Sequence, residues 1–352
     1  MEMPPLYIIN GREAKRALEH ARKQVATAIN GEQKEIYFTA CGSESDNLAL
    51  KGVAYANREK GNHIITTKIE HPAILQACQT LEQQGYEITY LNVDENGIIS
   101  LQELENAIKP TTILISVMFA NNEIGSIQPI EEIGKIARKH TILFHTDSVQ
   151  AVGNIKIDVE KCNIDLLSMS AHKFYGPKGV GALYVREGVL FERIQDGGHQ
   201  EKNKRAGTEN VAGIVGIGKA IELATQNLEQ YCKRLGELKQ QYINGIKERI
   251  PEAKLNGHPE KRLVGNINFS FPNIDGQELL LALDRKGICV STGSACSSGL
   301  LNPSHVLLAI GLPREYAQGA LRVSLGEENT KEDVQYLIDN VVEIVEQMKS
   351  MQ

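Results

Sequence analysis

Short apolar runs alternate with amphipathic helical stretches along the first part of the chain, and this alternation limits the fold more than any other feature. The apolar runs resemble strands that are buried on both faces of a parallel sheet. There are seven: Glu35–Thr39, His63–Thr67, Glu87–Asn92, Thr112–Phe119, Thr141–His145, Ile164–Ser168 and Gly181–Val185. Helical patterns fall among them at Arg12–Ile29, Glu44–Arg58, Ala73–Gln84, Leu101–Ala107 and Ile130–Lys139. The alternation predicts an α/β fold with a seven-stranded, mostly parallel, doubly wound sheet and helices on both faces.

The pattern changes beyond about Gly207. A long helical stretch at Val211–Arg249 ends before Pro251, which cannot continue a helix. The apolar run Val264–Phe271, a helix at Gln277–Arg285, a Gly/Ser-rich loop and a last helix near Lys331–Lys349 follow. We therefore expect two domains, a large one at residues 1–225 and a smaller α+β domain at residues 226–352.

Composition excludes several classes of protein. The 352 residues are 41% hydrophobic and 23% charged, which is typical of a globular chain. The net charge of -6 argues against a general affinity for nucleic acid or for membrane surfaces. No apolar run approaches the roughly 18 residues that span a bilayer, and the start lacks an apolar stretch of signal-peptide length. A cytoplasmic location is the expectation.

The six cysteines do not form a metal-binding pattern. They lie at Cys41, Cys78, Cys162, Cys232, Cys289 and Cys296, and no two are spaced as CxxC. A zinc site or a thioredoxin-like motif is therefore not expected. In a cytosolic enzyme these cysteines would be reduced thiols.

Polar residues concentrate where predicted strands end, which is where open parallel sheets bind ligands. Lys173 follows the apolar strand Ile164–Met169, and Asp147 follows the preceding strand. A lysine at such a point can form a Schiff base with an aldehyde cofactor, and pyridoxal phosphate (PLP) also needs a carboxylate against its ring nitrogen. Locally, Lys173 also fits an ordinary exposed lysine and Asp147 fits a helix N-cap. Both interpretations of each residue stay open at this point.

A third loop has the features of a phosphate site. Ser43 lies in a glycine-containing turn between a strand and a helix, where backbone N–H groups favour a phosphate. Ser170 and His172 can add donors, and Ser43 also fits an N-cap. The glycines of Gly213–Gly218 resemble a dinucleotide motif, but no convincing strand precedes them, so we assign them to helix packing.

Taken in order, these motifs resemble those of cysteine desulfurases, which are fold-type I, class V aminotransferase-like PLP enzymes. The segment Ser170–Lys173 followed by Tyr175–Gly179 resembles their PLP-lysine motif, and the loop Thr292–Gly299 resembles that of the NifS/IscS type. Further similar segments are Glu70–Pro72, Asn121–Gly125, His145–Gln150, Arg205–Asn210 and Leu321–Gly326. The resemblance extends from about Gly11 to the end of the chain.

The resemblance implies a role for each matching residue. Lys173 would hold PLP, Asp147 would pair with its ring nitrogen, and His71 would stack on the ring and move protons. The remaining cofactor-binding residues implied are Gln150 at the ring hydroxyl, Asn122 beside the ring and the substrate, and Gly42, Ser43, Ser170 and His172 at the phosphate. Thr208 would reach the phosphate of the other subunit's cofactor, which implies a homodimer. Arg322 would bind the substrate carboxylate, for which its planar fork is suited.

Cys296 is the nucleophile that the resemblance implies. It would take sulfur from L-cysteine as a persulfide and leave L-alanine, and the sulfur would pass to an acceptor such as an iron–sulfur scaffold protein. By its local sequence alone, Cys296 equally fits an exposed thiol. No resident metal is expected, although the Cys296 persulfide leaves open a contact with an iron–sulfur cluster. Supply of nitrogenase clusters, general iron–sulfur assembly and tRNA thiolation all stay open as pathways.

Two departures from the family pattern keep other functions open. Only MEMPPLYIIN precedes Gly11, so the N-terminal segment is shorter than is usual in the family, and His199 stands where glycine is common. The shorter segment leaves open a non-catalytic PLP-binding paralogue. Another class V PLP enzyme, such as a selenocysteine lyase or an aminotransferase, is the enzymatic alternative. The Cys296 loop discriminates here, since a transaminase needs no such thiol.

Overall fold

The computed structural model describes residues 9–293 and 303–350. The helices are α1 Ile9–Ala28, α2 Gly42–Ala56, α3 Pro72–Gln83, α4 Leu101–Ala107, α5 Ile130–Lys139, α6 Gln200–Asn203, α7 Val211–Gln226, α8 Leu228–Arg249, α9 Gly276–Asp284, α10 His305–Ala309, α11 Arg314–Gln318 and α12 Lys331–Ser350. The strands are β1 Ile36–Thr39, β2 His63–Thr67, β3 Glu87–Leu91, β4 Thr112–Ser116, β5 Leu143–Asp147, β6 Leu166–Ser170, β7 Gly181–Val185, β8 Lys254–Leu255, β9 Asn266–Ser270 and β10 Ala320–Ser324.

The chain divides into two compact units. The first comprises Met1–Leu91, Leu101–Phe119 and Pro129–Leu228. The second comprises Asn92–Ser100, Ala120–Gln128 and Glu229–Gln352. Two short segments of the second unit thus come from within residues 1–225, the range expected for the large domain, and the two-domain division itself stays a prediction.

The first unit is built on a seven-stranded sheet in the order β1-β7-β6-β5-β4-β2-β3. Neighbours from β6 to β3 are parallel, whereas β7 is antiparallel to both β1 and β6. The predicted seven-stranded, mostly parallel sheet is confirmed. Because β7 alone runs in reverse, β1, β2, β4, β5 and β6 all end at the same edge.

Burial explains why these segments form strands. Every residue of β2, β4, β6 and β7 is buried, as the continuous apolar patterns predict. Helix α2 covers this sheet with Leu48, Leu50 and Val53, which lie in one core with Leu114 and Leu166. Each such side chain contributes roughly 1.5–3 kcal/mol by leaving water, and Leu114→Ala would cost about 2–5 kcal/mol.

Two predicted strands begin two residues later than expected, at Leu143 and Leu166. Thr141 has a φ of 56°, so it belongs to the turn after α5 and not to a strand. Asp165 accepts a hydrogen bond from the backbone N–H of Phe144 through its side chain, so it fixes the entry to β6. The predicted long helix is also divided, because Asn227 leaves the helical conformation between α7 and α8.

The second unit has a three-stranded antiparallel sheet in the order β10-β9-β8. Its core joins residues of α8, α9 and α12 to the apolar face of the sheet, with Tyr242, Phe269 and Phe271 among the largest buried side chains. Tyr242 and Phe269 meet edge to face at 6.1 Å between ring centroids. The structure thus contains a smaller sheet, as the expected α+β part of the fold requires.

A membrane-crossing helix was not expected from the sequence. Among the described residues, no helix combines the length and the apolar character that a bilayer crossing requires.

Candidate active site

The strand ends of the first unit bring several predicted residues to one edge of the sheet. Asp147 is the last residue of β5, and Lys173 follows β6 within a short 3₁₀ turn at Ala171–Phe174. The strands β5 and β6 pair in parallel with Asp147 opposite Ser168. Asp147 and Lys173 therefore lie at the ends of neighbouring strands, as the sequence predicts.

Asp147 is a buried carboxylate with cationic neighbours. It is 6% exposed, and its Oδ1 accepts a 2.9 Å hydrogen bond from the N–H of Val149. Burial raises the pKa of Asp147, while that hydrogen bond and the proximity of His71 and Lys173 oppose the rise. A buried carboxylate in such a place can pair with a positively charged group.

Lys173 lies in a tightly constrained turn. Tyr175 adopts a left-handed conformation with φ of 64°, and the N–H of Gly176 returns to the carbonyl of Ala171 at 2.9 Å. A Cβ at Gly176 would come within 2.8 Å of the Ala171 side chain, so this position requires glycine. The turn leaves Lys173 exposed at the sheet edge.

The phosphate residues expected from the sequence surround the start of α2. Gly42 and Ser43 are its first residues, and a Cβ at Gly42 would meet Val149 at 2.6 Å. Ser170 Oγ lies 3.0 Å from His172 Nδ1. Burial, followed by the charges of Lys173 and of Lys178, lowers the pKa of His172. The turn thus combines hydroxyl groups with the N–H groups of a helix start, which suits a phosphate.

His71 has a fixed orientation. Its Nδ1 accepts a 3.1 Å hydrogen bond from the N–H of Ala73, so it caps α3 while Pro72 opens that helix. The preceding Glu70 is buried, and it accepts hydrogen bonds from Thr67 and from the N–H of Met118. Burial raises the pKa of Glu70 to about 8.

Asp46 is a residue that the sequence interpretation did not assign. It is 1% exposed on α2, and a ligand atom from each of Asp46, His71 and Asp147 lies within 4.8 Å of the others. Burial, then the charge of Asp147, raises the pKa of Asp46 well above its ordinary value, while a hydrogen bond from Ser168 opposes the rise.

Gln150 and Thr208 complete the predicted set in the first unit. Gln150 lies in the turn after β5, where its carbonyl accepts from Asn154 Nδ2 at 3.1 Å. Thr208 is exposed beside a cavity of about 110 Å³ whose walls include Ala40, Gly179 and Glu201.

The second unit carries Asn122 and Arg322. Arg322 lies on β10, and its Nη1 donates to the carbonyl of Asn122 at 3.2 Å, so the structure brings these two residues together. Ser291 exchanges backbone hydrogen bonds with Arg322 and thereby holds the chain just before the Cys296 loop. Cys296 itself lies outside the described residues.

Comparison with known proteins shows which family this chain matches. The family model described as aminotransferase class-V matches residues 9–337. The cysteine desulfurase IscS of Clostridium botulinum is 57% identical, over 96% of this chain and 86% of that protein. The IscS of Methanosarcina thermophila is 56% identical, over 97% of this chain and 84% of that protein.

Solved structures agree with these relatives. A NifS-like protein superposes with a TM-score of 0.91 at 39% identity, covering 98% of this chain and 92% of its own. A structure titled SspA in complex with cysteine gives a TM-score of 0.81 at 38% identity, covering 92% and 91% of the two chains.

The fold and the sheet-edge lysine and carboxylate define the class, and the chain belongs to the aminotransferase class-V family. Within that family its relatives are cysteine desulfurases of the IscS type, and the chain is an enzyme of this kind. The resemblance inferred from the motifs is confirmed. The family implies PLP as the cofactor, and the buried Asp147 beside the charge of Lys173, with the close-fitting turn at Gly42, fits that group.

Proposed function

We propose that the chain binds PLP on Lys173 and converts L-cysteine to L-alanine, with the sulfur carried as a persulfide on Cys296. The observation that carries this proposal is the buried Asp147 carboxylate beside the charge of Lys173, on neighbouring strand ends. When bound, PLP supplies an electron sink that makes the substrate α-proton removable.

The residues of the first unit hold and orient the cofactor. Asp147 holds a proton at the ring nitrogen, and Gln150 bonds the ring hydroxyl. His71 would lie against the cofactor ring, in the orientation that the hydrogen bond from the N–H of Ala73 fixes. Lys173 would hold the cofactor aldehyde, and its amine, when free, would take the α-proton of the substrate.

The phosphate is held by two turns and a second subunit. Gly42 and Ser43 offer the N–H and hydroxyl groups at the start of α2, and Ser170 and His172 add donors from the turn after β6. Thr208 reaches the phosphate of the cofactor in the other subunit. The working enzyme is therefore a homodimer.

The substrate is recognised by the second unit. Arg322 binds the α-carboxylate of L-cysteine, and Asn122, whose carbonyl already accepts from Arg322, lies beside the substrate. The Cys296 thiolate attacks the substrate sulfur, the substrate C–S bond breaks, and the electrons of that bond stay with the carbon fragment, which takes up a proton and leaves as alanine. The titled complex of SspA with cysteine supports this substrate.

The persulfide then passes to an acceptor protein, such as an iron–sulfur scaffold. An IscS-type relative at 57% identity supports iron–sulfur assembly as the destination. A cytoplasmic location stays a prediction.

Chemical fixation of the cofactor tests the lysine. Borohydride reduction of the yellow holoenzyme should attach PLP irreversibly to the peptide that contains Lys173, because reduction converts the C=N bond to a stable amine. The variant Lys173→Ala should lose both the attachment and the alanine production. Lys161→Ala, at an exposed ion pair with Glu131, is the matched control and should keep both. Attachment that survives in Lys173→Ala would overturn the assignment.

A further inference from the structure

Glu123 is a buried acid that the roles above do not use. It lies in the turn Asn121–Gly125 of the second unit and is 2% exposed. Its own N–H donates to Asn121 Oδ1 at 2.8 Å. A buried carboxyl group is costly unless it is hydrogen-bonded, so the atoms around it indicate its purpose.

The backbone that carries Glu123 is held on one side by successive hydrogen bonds. Carbonyls 122 to 125 accept, in order, from Asn266 Nδ2 at 3.0 Å, Asn268 Nδ2 at 3.2 Å, Arg262 Nη2 at 3.0 Å and the N–H of Leu263 at 2.9 Å. Two of these donors lie on β9, in the core sheet of the unit. Glu123 is therefore presented by a rigid part of the structure rather than by a loosely held loop.

One carboxylate oxygen of Glu123 lies close to both Ser304 and Gly293. Ser304 Oγ donates to Glu123 Oε2 at 2.5 Å. A Cβ built on Gly293 would lie 3.6 Å from the same Oε2, so this oxygen lies near the backbone of Gly293. Between Gly293 and Ser304 runs the segment that contains Cys296.

Each of these two ends is also tied to its own element. Ser304 caps α10, since its Oγ accepts from the N–H of Val306 at 3.1 Å. Ser291 Oγ donates to the carbonyl of Gly293 at 3.0 Å, and Ser291 pairs through its backbone with Arg322 on β10. Glu123 thus bonds the start of α10 and lies close to Gly293, which Ser291 links to β10.

We propose that Glu123 is a positioning residue, which holds Ser304 by a hydrogen bond close to Gly293 and so sets the separation of the two ends of the Cys296 segment. The catalytic consequence rests on the proposed function, in which Cys296 takes the sulfur. The anchoring itself does not, because it follows from the contacts of Glu123 alone. The two parts can therefore be tested separately.

Hydrogen exchange tests the anchoring without reference to activity. In the holoenzyme, Glu123→Ala should speed amide exchange about tenfold at the flanks Ser291–Gly293 and Ser304–Leu307, because Ser304 loses its hydrogen bond and Gly293 loses the carboxylate that lies beside it. Peptides from β5 and β6 should not change. Glu123→Gln keeps an oxygen acceptor for Ser304, folds without an unpaired charge, and should restore most of the slow exchange. Glu95→Ala, at an exposed acid in the same unit, is the control.

A kinetic split tests the consequence. In Glu123→Ala and in Ser304→Ala, alanine formation should fall about tenfold. KM for L-cysteine and the visible spectrum of the bound cofactor should stay unchanged. The double variant should form alanine no more slowly than either single variant. Unchanged flank exchange in both Glu123 variants would overturn the anchoring. Altered exchange with unchanged alanine formation would overturn the positioning role. Absence of alanine in the wild-type protein would instead overturn the proposed function and leave the exchange result standing.

Discussion

His145 lies at the centre of a buried polar chain in the main sheet. Its Nδ1 is 2.9 Å from Ser116 Oγ, its Nε2 is 3.0 Å from Ser168 Oγ, and its exposure is 0%. Burial lowers the pKa of His145 to about 3, so the ring is neutral in the folded protein. Ser168 in turn bonds Asp46, which extends the chain to within reach of Asp147.

This histidine should make the fold sensitive to acid. An unfolded histidine titrates near pH 6.5, so between about pH 6.5 and 3 the unfolded chain binds a proton that the folded chain does not. Stability is therefore lost as the pH falls, by about 2 kcal/mol between pH 7 and pH 5. His145→Gln should remove most of that loss in urea unfolding, whereas His20→Gln, at an exposed site, should not. An equal pH dependence in wild type and His145→Gln would contradict the assignment.

The positions of Asp147 and Lys173 at neighbouring strand ends were predictable, because each comes at the end of a continuous apolar run. Asp46 was missed because its role depends on burial, and its local sequence reads as an ordinary polar helix start. One signal was available: Asp46 shares a helix face with Ala49, Leu50 and Val53, all fully buried. An acid on the apolar face of a helix is a candidate for a functional group.

At the scale of elements, the short segment α6 is unusually strained. Glu201, Lys202 and Asn203 all have positive φ values of 42°, 56° and 66°. Glu201 holds this strained segment, because its carboxylate accepts two hydrogen bonds from Arg22 of α1, at 2.7 and 2.8 Å, and one from the N–H of Phe38. The segment leads to Thr208, so this ion pair fixes the approach to a predicted phosphate residue.

Removal of one partner of this ion pair should lower the free energy of unfolding substantially. Glu201→Ala leaves the buried Arg22 with only a 3.4 Å contact to Glu19 and a hydrogen bond to the carbonyl of Ile36, which should cost about 3–5 kcal/mol in urea unfolding. The exposed pair of Arg58 and Glu192 is the control, and Glu192→Ala should cost less than about 1 kcal/mol. Similar losses for the two variants would show that Glu201 does not hold the segment.

Element identity was largely readable from the sequence, since continuous apolar runs require burial on both faces of a sheet. Element boundaries were not. The late starts of β5 and β6 depend on a left-handed Thr141 and on the side chain of Asp165, and neither effect appears in apolar periodicity. The break at Asn227 is likewise a local conformation within an otherwise helical pattern.

At the scale of the whole molecule, the predicted site residues belong to two units. Asp147 and Lys173 belong to the first, whereas Asn122 and Arg322 belong to the second. Asn122 belongs to the second unit because it lies in the short segment Ala120–Gln128. The carbonyl of Asn122 accepts hydrogen bonds from Asn266 of β9 and Arg322 of β10. The amino-acid sequence gives no signal for such long-range contacts, so a single domain boundary near residue 225 was the simplest prediction.

The central claim is that sulfur leaves L-cysteine on Cys296, and the fate of that sulfur tests it most directly. With L-cysteine and no reductant, the protein should form about one alanine per chain, and mass spectrometry should find one added sulfur atom on the peptide containing Cys296. Cys78, which is fully buried and whose pKa burial raises to about 12, should gain none. Added reductant should release the sulfur as sulfide and restart alanine formation. Cys296→Ser that keeps the yellow cofactor yet forms alanine and sulfide at the wild-type rate would contradict the account.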